Sequence, residues 1–368
     1  MSGNPYLALM TAARAHAEAH GAPTPVFAPL DSTLLGANPP IQISELHQAG
    51  FRVIPWTTNR ATTMRKLIAL RVEGMISDRP DILQSVLREE AAAHPHDAAY
   101  FAVFEATGHR GARGLRPENT LPAFEAALDH LVTSVETDIG ITHDRVPLLW
   151  HEQFLDPRSC RRADNTRYSI KNRVYLRDIT SAEAQSTFIC DKLQRLRFPN
   201  QTNDLALSPV AVAFAAEEHL ISPYAPTHVE QLFRFTRFYA DYYRTGPGTQ
   251  HPEAAARAAH AERVCFNIET KILPWPNDPE SVPVAKLPVP RPGAEPTTNH
   301  TADPQTFVTT LSEVIRRNGM ETRTRILSFD FRILQLVEEQ LPAVPTFYLT
   351  ESPASLSTAL IPPTLRQP

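Results

Sequence analysis

The sequence predicts a closed parallel β/α barrel of the TIM type carrying an inserted loop/helix subdomain. Three observations lead there. Eight short apolar runs, marked by Val53, Met75, Val103, Val135, Leu148, Phe266, Ile326 and Phe347, read as strands. Segments with apolar residues at helical spacing separate most of them, which suits a closed barrel better than an open sheet. Charged residues gather just beyond the C-terminal ends of these runs, the rim on which such a barrel keeps its chemistry.

Residues 1–100 are expected to supply an amphipathic, Ala-rich helix and then two β/α units. Val53 to Trp56 is short, apolar and partly β-branched; Met64, Leu67, Ile68 and Val72 follow at helical spacing; Gly74 to Ser77 is the second strand. Asp78-Arg79-Pro80-Asp81 stops that strand and starts the next helix. Residues 101–152 hold the strand "YFAVFEAT", the Gly-rich turn "GHRGARGLRPENT", the helix "LPAFEAALDHL" and the strands "SVETDIGIT" and "VPLLWHE". Between 153 and 262 the pattern loosens into polar loops and helical pieces, too long for an ordinary connection and therefore read as an insertion. Residues 263–351 return to strand and helix, interrupted by a Pro-rich run that suits neither helix nor central strand. Residues 352–368 form a weakly patterned tail.

A chain of 368 residues with 42% hydrophobic content can build one large core. Its formal net charge of -4 gives no reason to expect nucleic acid or a membrane surface as partner. No run approaches transmembrane length, and the first residues lack the charged and apolar regions of an export signal, so a cytoplasmic location is expected unless such a signal was removed. Oligomeric state is not legible. Cys160, Cys190 and Cys265 form no CxxC and are expected as reduced thiols, with Cys265 buried in a strand.

The strand ends carry the chemistry. His109 and Arg110 follow the Val103 strand; Glu136 and Asp138 lie two apart, hence on one face of the next. His151 and Glu152 end the following strand, and Glu269 and Lys271 repeat the two-apart arrangement. Inward-facing carboxylates repel unless a cation or proton compensates them. Three of them suit a hard divalent ion with oxygen ligands, Mg²⁺ or Ca²⁺ rather than Zn²⁺. Arg110 and Lys271 suit phosphate oxygens, and His109 and His151 suit proton transfer, so the set points to phosphate-ester chemistry. Glu152 alternates to the face opposite His151 and is not expected to take part. Trp56 ends a strand where it could line a substrate pocket or the core. His94 and His96 in "HPHDAAY" are expected in a solvated loop, and "HEQFL" lacks the second histidine of a zinc HExxH motif.

The segments "GHRGARGLRPENTLPAFEAAL", "VETDIGITHD", "VPLLWHEQFLDP", "FNIETK", "ILSFDFRILQ", "VIPWTTN" and "EGMISDRPDIL" resemble the glycerophosphodiester phosphodiesterase family. The resemblance implies a metal-dependent barrel that cleaves glycerophosphodiesters, small-molecule substrates, to glycerol 3-phosphate and an alcohol. It implies Glu136, Asp138 and Glu269 as metal ligands, His109 and His151 as the acid/base pair, and Arg110 and Lys271 on the phosphate. Family members also carry an insertion where residues 153–262 fall.

Three positions depart from the family pattern. His-Asp becomes His151-Glu152, Thr-Asp becomes Ser77-Asp78, and the segments holding Trp56 and Asp78, which the family carries last, come first. Each segment occurs once, so the order reads as a circular permutation, cut between the sixth and seventh strands. The Val53 strand is then expected beside Phe347 and the Met75 strand beside Val103. Two alternatives keep the same barrel: phospholipase D-like action on lysophospholipids or sphingolipids, and a non-catalytic phosphodiester-binding protein.

Overall fold

Strands covered on both faces belong to parallel sheets wrapped by helices, and the sheet of this protein is built largely from strands buried on both faces. The computed structural model describes residues 4–272 and 300–351, with Leu356 and Leu365. The Pro-rich run and the tail read from the sequence lie almost wholly outside the described residues.

In chain order the elements are α1 (Pro5–Ala19), β1 (Val26–Pro29), α2 (Ile43–Gln48), α3 (Ala61–Ala69), β2 (Gly74–Ser77), α4 (Pro80–Ala93), α5 (Ala98–Ala102), β3 (Glu105–Gly108), α6 (Leu121–Asp129), β4 (Ser134–Ile141) and β5 (Pro147–Leu149). There follow β6 (Arg161–Arg162), α7 (Ser181–Thr187), β7 (Phe188–Ile189), α8 (Pro209–Glu217), α9 (Val229–Arg244), α10 (Ala254–Ala261) and β8 (Cys265–Thr270). The last are α11 (Pro304–Arg317), β9 (Thr324–Ser328), α12 (Phe331–Gln340) and β10 (Thr346–Thr350).

The parallel strands run β1-β10-β9-β8-β4-β3-β2, and every residue of β1, β2, β3, β4 and β10 is buried. The sheet curls. Ile76 of β2 shares an apolar cluster with Val26 of β1, Leu327 of β9 and Phe347 of β10, which a flat sheet in that order would keep apart. Asn267 of β8 likewise donates to Glu105 of β3 across the interior at 3.0 Å. The arrangement is that of a TIM-type half-barrel or barrel, with helices on the outside. Among them α9 lays Phe233 edge-on against Phe266 of β8, with ring centroids 4.8 Å apart. No helix among the described residues is long and apolar enough to cross a membrane.

Several expectations are corrected. The Val103 strand begins later, at Glu105. Val103 itself caps α5 and is 76% exposed, because Tyr100 and Phe104 pack edge to face around the helix end at 5.7 Å. The Met75 strand does pair with it, Met75 opposite Ala106. The Leu148 run is not a barrel strand; β5 returns antiparallel to β4 as a hairpin. A strand absent from the sequence reading, β1, takes a place in the sheet, Val26 opposite Phe347. Pro23, Pro25 and Pro29 bracket it and disguise it as loop.

The Val53 segment therefore lies beside β1, not beside Phe347. Ile54 N–H donates to Phe27 O at 2.9 Å and Trp56 N–H to Pro29 O at 3.0 Å. On its other side, Glu73 N–H donates to Val53 O at 3.1 Å and Ile76 N–H to Pro55 O at 3.0 Å. Pro55 has no N–H to give, so the segment makes isolated bridges rather than a full ladder.

The cysteine expectation is also corrected. Cys160 and Cys190 form a disulfide, and both are buried in a small core with Leu148, Trp150, Leu155, Leu176 and Phe188. Cys265, at the start of β8, is half-buried and free. His94 and His96 fall at a solvated turn, with His96's side chain 76% exposed.

Candidate active site

The turn after β3 brings the first functional groups to the rim. Arg110 and Gly111 both have positive φ, 51° and 78°. A Cβ on Gly111 would sit 2.5 Å from the Ala123 carbonyl carbon in α6, so only glycine fits. The left-handed conformation of Arg110 costs about 1–2 kcal/mol. Its backbone N–H donates to Glu136 Oε2 at 2.8 Å, and its guanidinium reaches Glu118 Oε1 and Asp138 Oδ2, each at 3.0 Å. These charge-assisted contacts offset the strain.

Parallel register then gathers the carboxylates. Asp138 of β4 stands opposite Glu269 of β8, and Glu136 lies two residues before it. All three are buried, and one oxygen from each lies within 4.8 Å of the others. At an effective dielectric near 20, two full charges that close repel by about 3 kcal/mol or more. Asp138 is compensated: burial pushes its pKa up, but Arg110 and Lys271, the latter at 3.2 Å, hold it well below the ordinary range. Asn119 donates to it as well, at 2.9 Å. Glu136 is compensated only in part, by Arg110. Burial first, then Asp138 and Glu269, raise it well above the ordinary carboxylate value, and its Oε1 has no hydrogen-bond partner. Glu269 is raised by burial although it contacts Lys271. A buried, partnerless carboxylate oxygen between two other carboxylates fits a hard divalent cation with oxygen ligands.

His109 stands beside this cluster. Its Nδ1 is 2.7 Å from Asp78 Oδ1 and its Nε2 is 3.7 Å from Glu136 Oε2. Arg113 and Asn59 also bond Asp78; His109 and then Arg113 keep its carboxylate far below the usual range against the effect of burial. Burial, reinforced by Arg113, lowers His109 to about 3, so the ring is neutral. An ionised Asp78 can only accept, so Nδ1 carries the proton and Nε2 the lone pair.

His151 arrives by the hairpin. Trp150 N–H donates to Asp138 O at 3.0 Å, which folds the chain after β5 back over the carboxylates. His151 Nδ1 contacts Glu152 Oε1 at 3.0 Å. Burial pushes Glu152 up, but the bond to His151 brings it down to about 2. Glu152 was not expected to take part; the structure places it in the same cavity as His151, because the chain bends at 151–153 rather than continuing as strand.

An open cavity of about 890 Å³ joins these groups. His109, Arg110, Glu136, His151, Glu269 and Lys271 line it, with Asp138 beneath. Trp56 lines it too, held by Nε1–H donating to Ala28 O at 2.9 Å and edge-on to Phe329. All eight residues singled out from the sequence therefore meet at one rim. Asp78, Glu118 and Arg113 also belong to it, although no role was read for them. Their signal lay in the "DRP" and "GARGLRPENT" segments, which meet through Asp78 and Arg113, 35 residues apart. The far wall comes from 156–200, and Arg158, Arg197 and Phe198 line it.

Residues 5–82 and 109–230 match the Glycerophosphoryl diester phosphodiesterase family. Among curated proteins, the chain is similar to glycerophosphodiester phosphodiesterase domain-containing protein 4 of Macaca fascicularis, 51% identical over 45 residues, 12% of this chain and 7% of that protein. It is similar to glycerophosphodiester phosphodiesterase domain-containing protein 5 of Gallus gallus, 38% identical over 68 residues, 18% of this chain and 10% of that one. The matched segments thus span a tenth or less of those relatives' length. Among solved structures, an inferred glycerophosphoryl diester phosphodiesterase from Silicibacter pomeroyi DSS-3 aligns with a TM-score of 0.46 and 22% identity, over 71% of this chain and 68% of that one.

Proposed function

The chain belongs to the glycerophosphoryl diester phosphodiesterase family, and from that premise we propose that it hydrolyses glycerophosphodiesters to glycerol 3-phosphate and an alcohol in a metal-dependent reaction. The observation that carries this reading is the partnerless Glu136 Oε1 among three buried carboxylates, beside an oriented neutral histidine. Glu136, Asp138 and Glu269 would hold Mg²⁺ or Ca²⁺, which supplies charge neutralisation at the phosphoryl oxygens.

The chain's own residues do the rest. Arg110 donates from Nη1 to Glu118 and sets Nε against Asp138 as an ion pair without a hydrogen bond, which leaves Nη2 donors for a phosphate oxygen. Lys271 donates to Glu269 and lies 3.2 Å from Asp138 Oδ1 as an ion pair, which leaves two of its three donors for the phosphate. His109 and His151 move the protons: one takes a proton from the attacking oxygen, the other gives one to the leaving oxygen. Asp78 and Glu152 fix which ring nitrogen is free for that work. Trp56 supplies an apolar wall for the glycerol or alcohol.

Purified chain, assayed against a panel of glycerophosphodiesters and lysophospholipids with added Mg²⁺ or Ca²⁺, is expected to release glycerol 3-phosphate from the former. Cleavage of lysophospholipids alone would transfer the reading to the lipid alternative. No cleavage of any member would leave only a binding protein.

The same reading extends to the fold. We take the sheet as a closed barrel, since 52–58 bonds to β1 on one side and to β2 on the other, and closure removes both edges. Around that ring the order is β3, β4, β8, β9, β10, β1, 52–58, β2. Relative to the family's order, the permutation would be cut between the fifth and sixth strands, one place earlier than the sequence suggested, because β5 was counted and β1 was not. We also read the working compartment as oxidising, since the Cys160–Cys190 bond would not persist among cytosolic thiols. Thiol labelling of unreduced, denatured protein is expected to count one free thiol; three would overturn that reading.

A further inference from the structure

We propose that His16, His20 and Glu339 form a second metal site, for Zn²⁺, at the seam between α1 and α12. The two helices pack against each other; His16 lies in the last turn of α1 and His20, four residues on, is its C-cap. One donor atom from each of the three residues lies within 4.8 Å of the others. His16 Nε2 and Glu339 Oε1 are 3.3 Å apart. Two ligands on one tetrahedral Zn²⁺ at its usual bond length are separated by about 3.3 Å.

The other ring nitrogens are already engaged. His16 Nδ1 lies 2.8 Å from Glu338 Oε2, and His20 Nδ1 lies 2.9 Å from the His16 carbonyl oxygen. With Nδ1–H donating in both rings, each Nε2 keeps its lone pair. Glu338 is buried, and Thr346 Oγ1 and Tyr348 OH hold it at 2.7 Å and 3.2 Å. A histidine braced by a fixed carboxylate through its second nitrogen is the arrangement that orients metal-binding histidines. An ion pair between His16 and the two glutamates would need no second histidine; here His20 is braced by its own acceptor and lies beside His16, with ring centroids 4.5 Å apart and the ring planes tilted by 38°.

Two imidazoles and one carboxylate select Zn²⁺ over Mg²⁺ or Ca²⁺, the reverse of the three-carboxylate cluster, and leave a fourth position to solvent. The site shares no residue with that cluster. Its occupation would tie α1 to α12 and favour the folded state over the unfolded chain.

The test uses the full chain in excess Mg²⁺, titrated with Zn²⁺ by calorimetry. Wild type is expected to take up one Zn²⁺ with micromolar or tighter affinity and to unfold at higher temperature when loaded. His20→Gln and Glu339→Gln, both at exposed side chains and so little threat to folding, are expected to weaken that binding by at least about tenfold and to abolish the thermal shift. Glu136→Gln is expected to retain it. Co²⁺ in place of Zn²⁺ should give the visible bands of a tetrahedral site in wild type and in Glu136→Gln only. Equal Zn²⁺ affinity in wild type, His20→Gln and Glu339→Gln, or no Zn²⁺ uptake by wild type, overturns the proposal.

Discussion

Replacing His109 with alanine is expected to lower kcat by about two to four orders of magnitude, the range for a lost general acid or base. The ring is neutral, its Nδ1 is committed to Asp78, and its Nε2 faces the carboxylate cluster at 3.7 Å from Glu136, so that nitrogen is the one placed to take or give the proton. Folding should change little, because Asp78 keeps Arg113 and Asn59 after the ring is gone. Asp78→Asn makes the contrast. It removes the acceptor that sets the tautomer and also leaves the buried Arg113 with Glu118 at 3.5 Å as its remaining counter-charge, a loss on the order of 1–3 kcal/mol. That variant should therefore lose both turnover and several degrees of unfolding temperature. Steady-state kinetics on the best glycerophosphodiester, with thermal unfolding of each variant, separate the two. Turnover near the wild-type rate in His109→Ala would end its assignment to proton transfer.

Stripping divalent ions is expected to abolish turnover, with Mg²⁺ or Ca²⁺ restoring it and Zn²⁺ failing to. Glu136, Asp138 and Glu269 offer oxygens only, and Glu136 is held well above the ordinary carboxylate range by burial and its two neighbours. A cation would reverse that shift, since its charge rewards the ionised form. Glu269→Gln should weaken the metal requirement's midpoint rather than the chemistry, so part of the activity returns at high Mg²⁺. A chelator also empties any site at His16 and His20, and add-back of Mg²⁺ alone distinguishes the two. Full activity in chelator-treated, metal-free protein would sink the metal dependence.

The rim was legible in the sequence because two-apart spacing at a strand end survives folding unchanged. Glu136 with Asp138, and Glu269 with Lys271, needed only the strands to be strands. What the sequence hid were relations set by the turns. β5 and a parallel barrel strand are both short apolar runs, and periodicity cannot tell a returning hairpin from a new strand. Glu152 was misplaced for the same reason, since alternation holds only while the chain stays extended. β1 was lost among its prolines. Asp78 was visible as part of a motif, but its partner His109 lies 31 residues away, and no local pattern reports a hydrogen bond across that distance. The disulfide likewise closes 30 residues of irregular chain, for which spacing gives no rule.

The β4–β5 hairpin has one more consequence. Glu136 and Asp138 sit on β4, and the bond from Trp150 hangs His151 on the same strand, so any drift of β4 is common-mode for three of the rim groups. Only sliding between strands can spoil their alignment with the remainder. Toward Glu269 that sliding is resisted by six paired residues between β4 and β8. Toward His109 the ladder offers two pairs, reinforced by the Arg110 and Gly111 amides that donate to Glu136. The compliant coordinate of this site is therefore the gap between His109 and the carboxylates, and thermal noise there would reach proton transfer before it reaches the cation cradle.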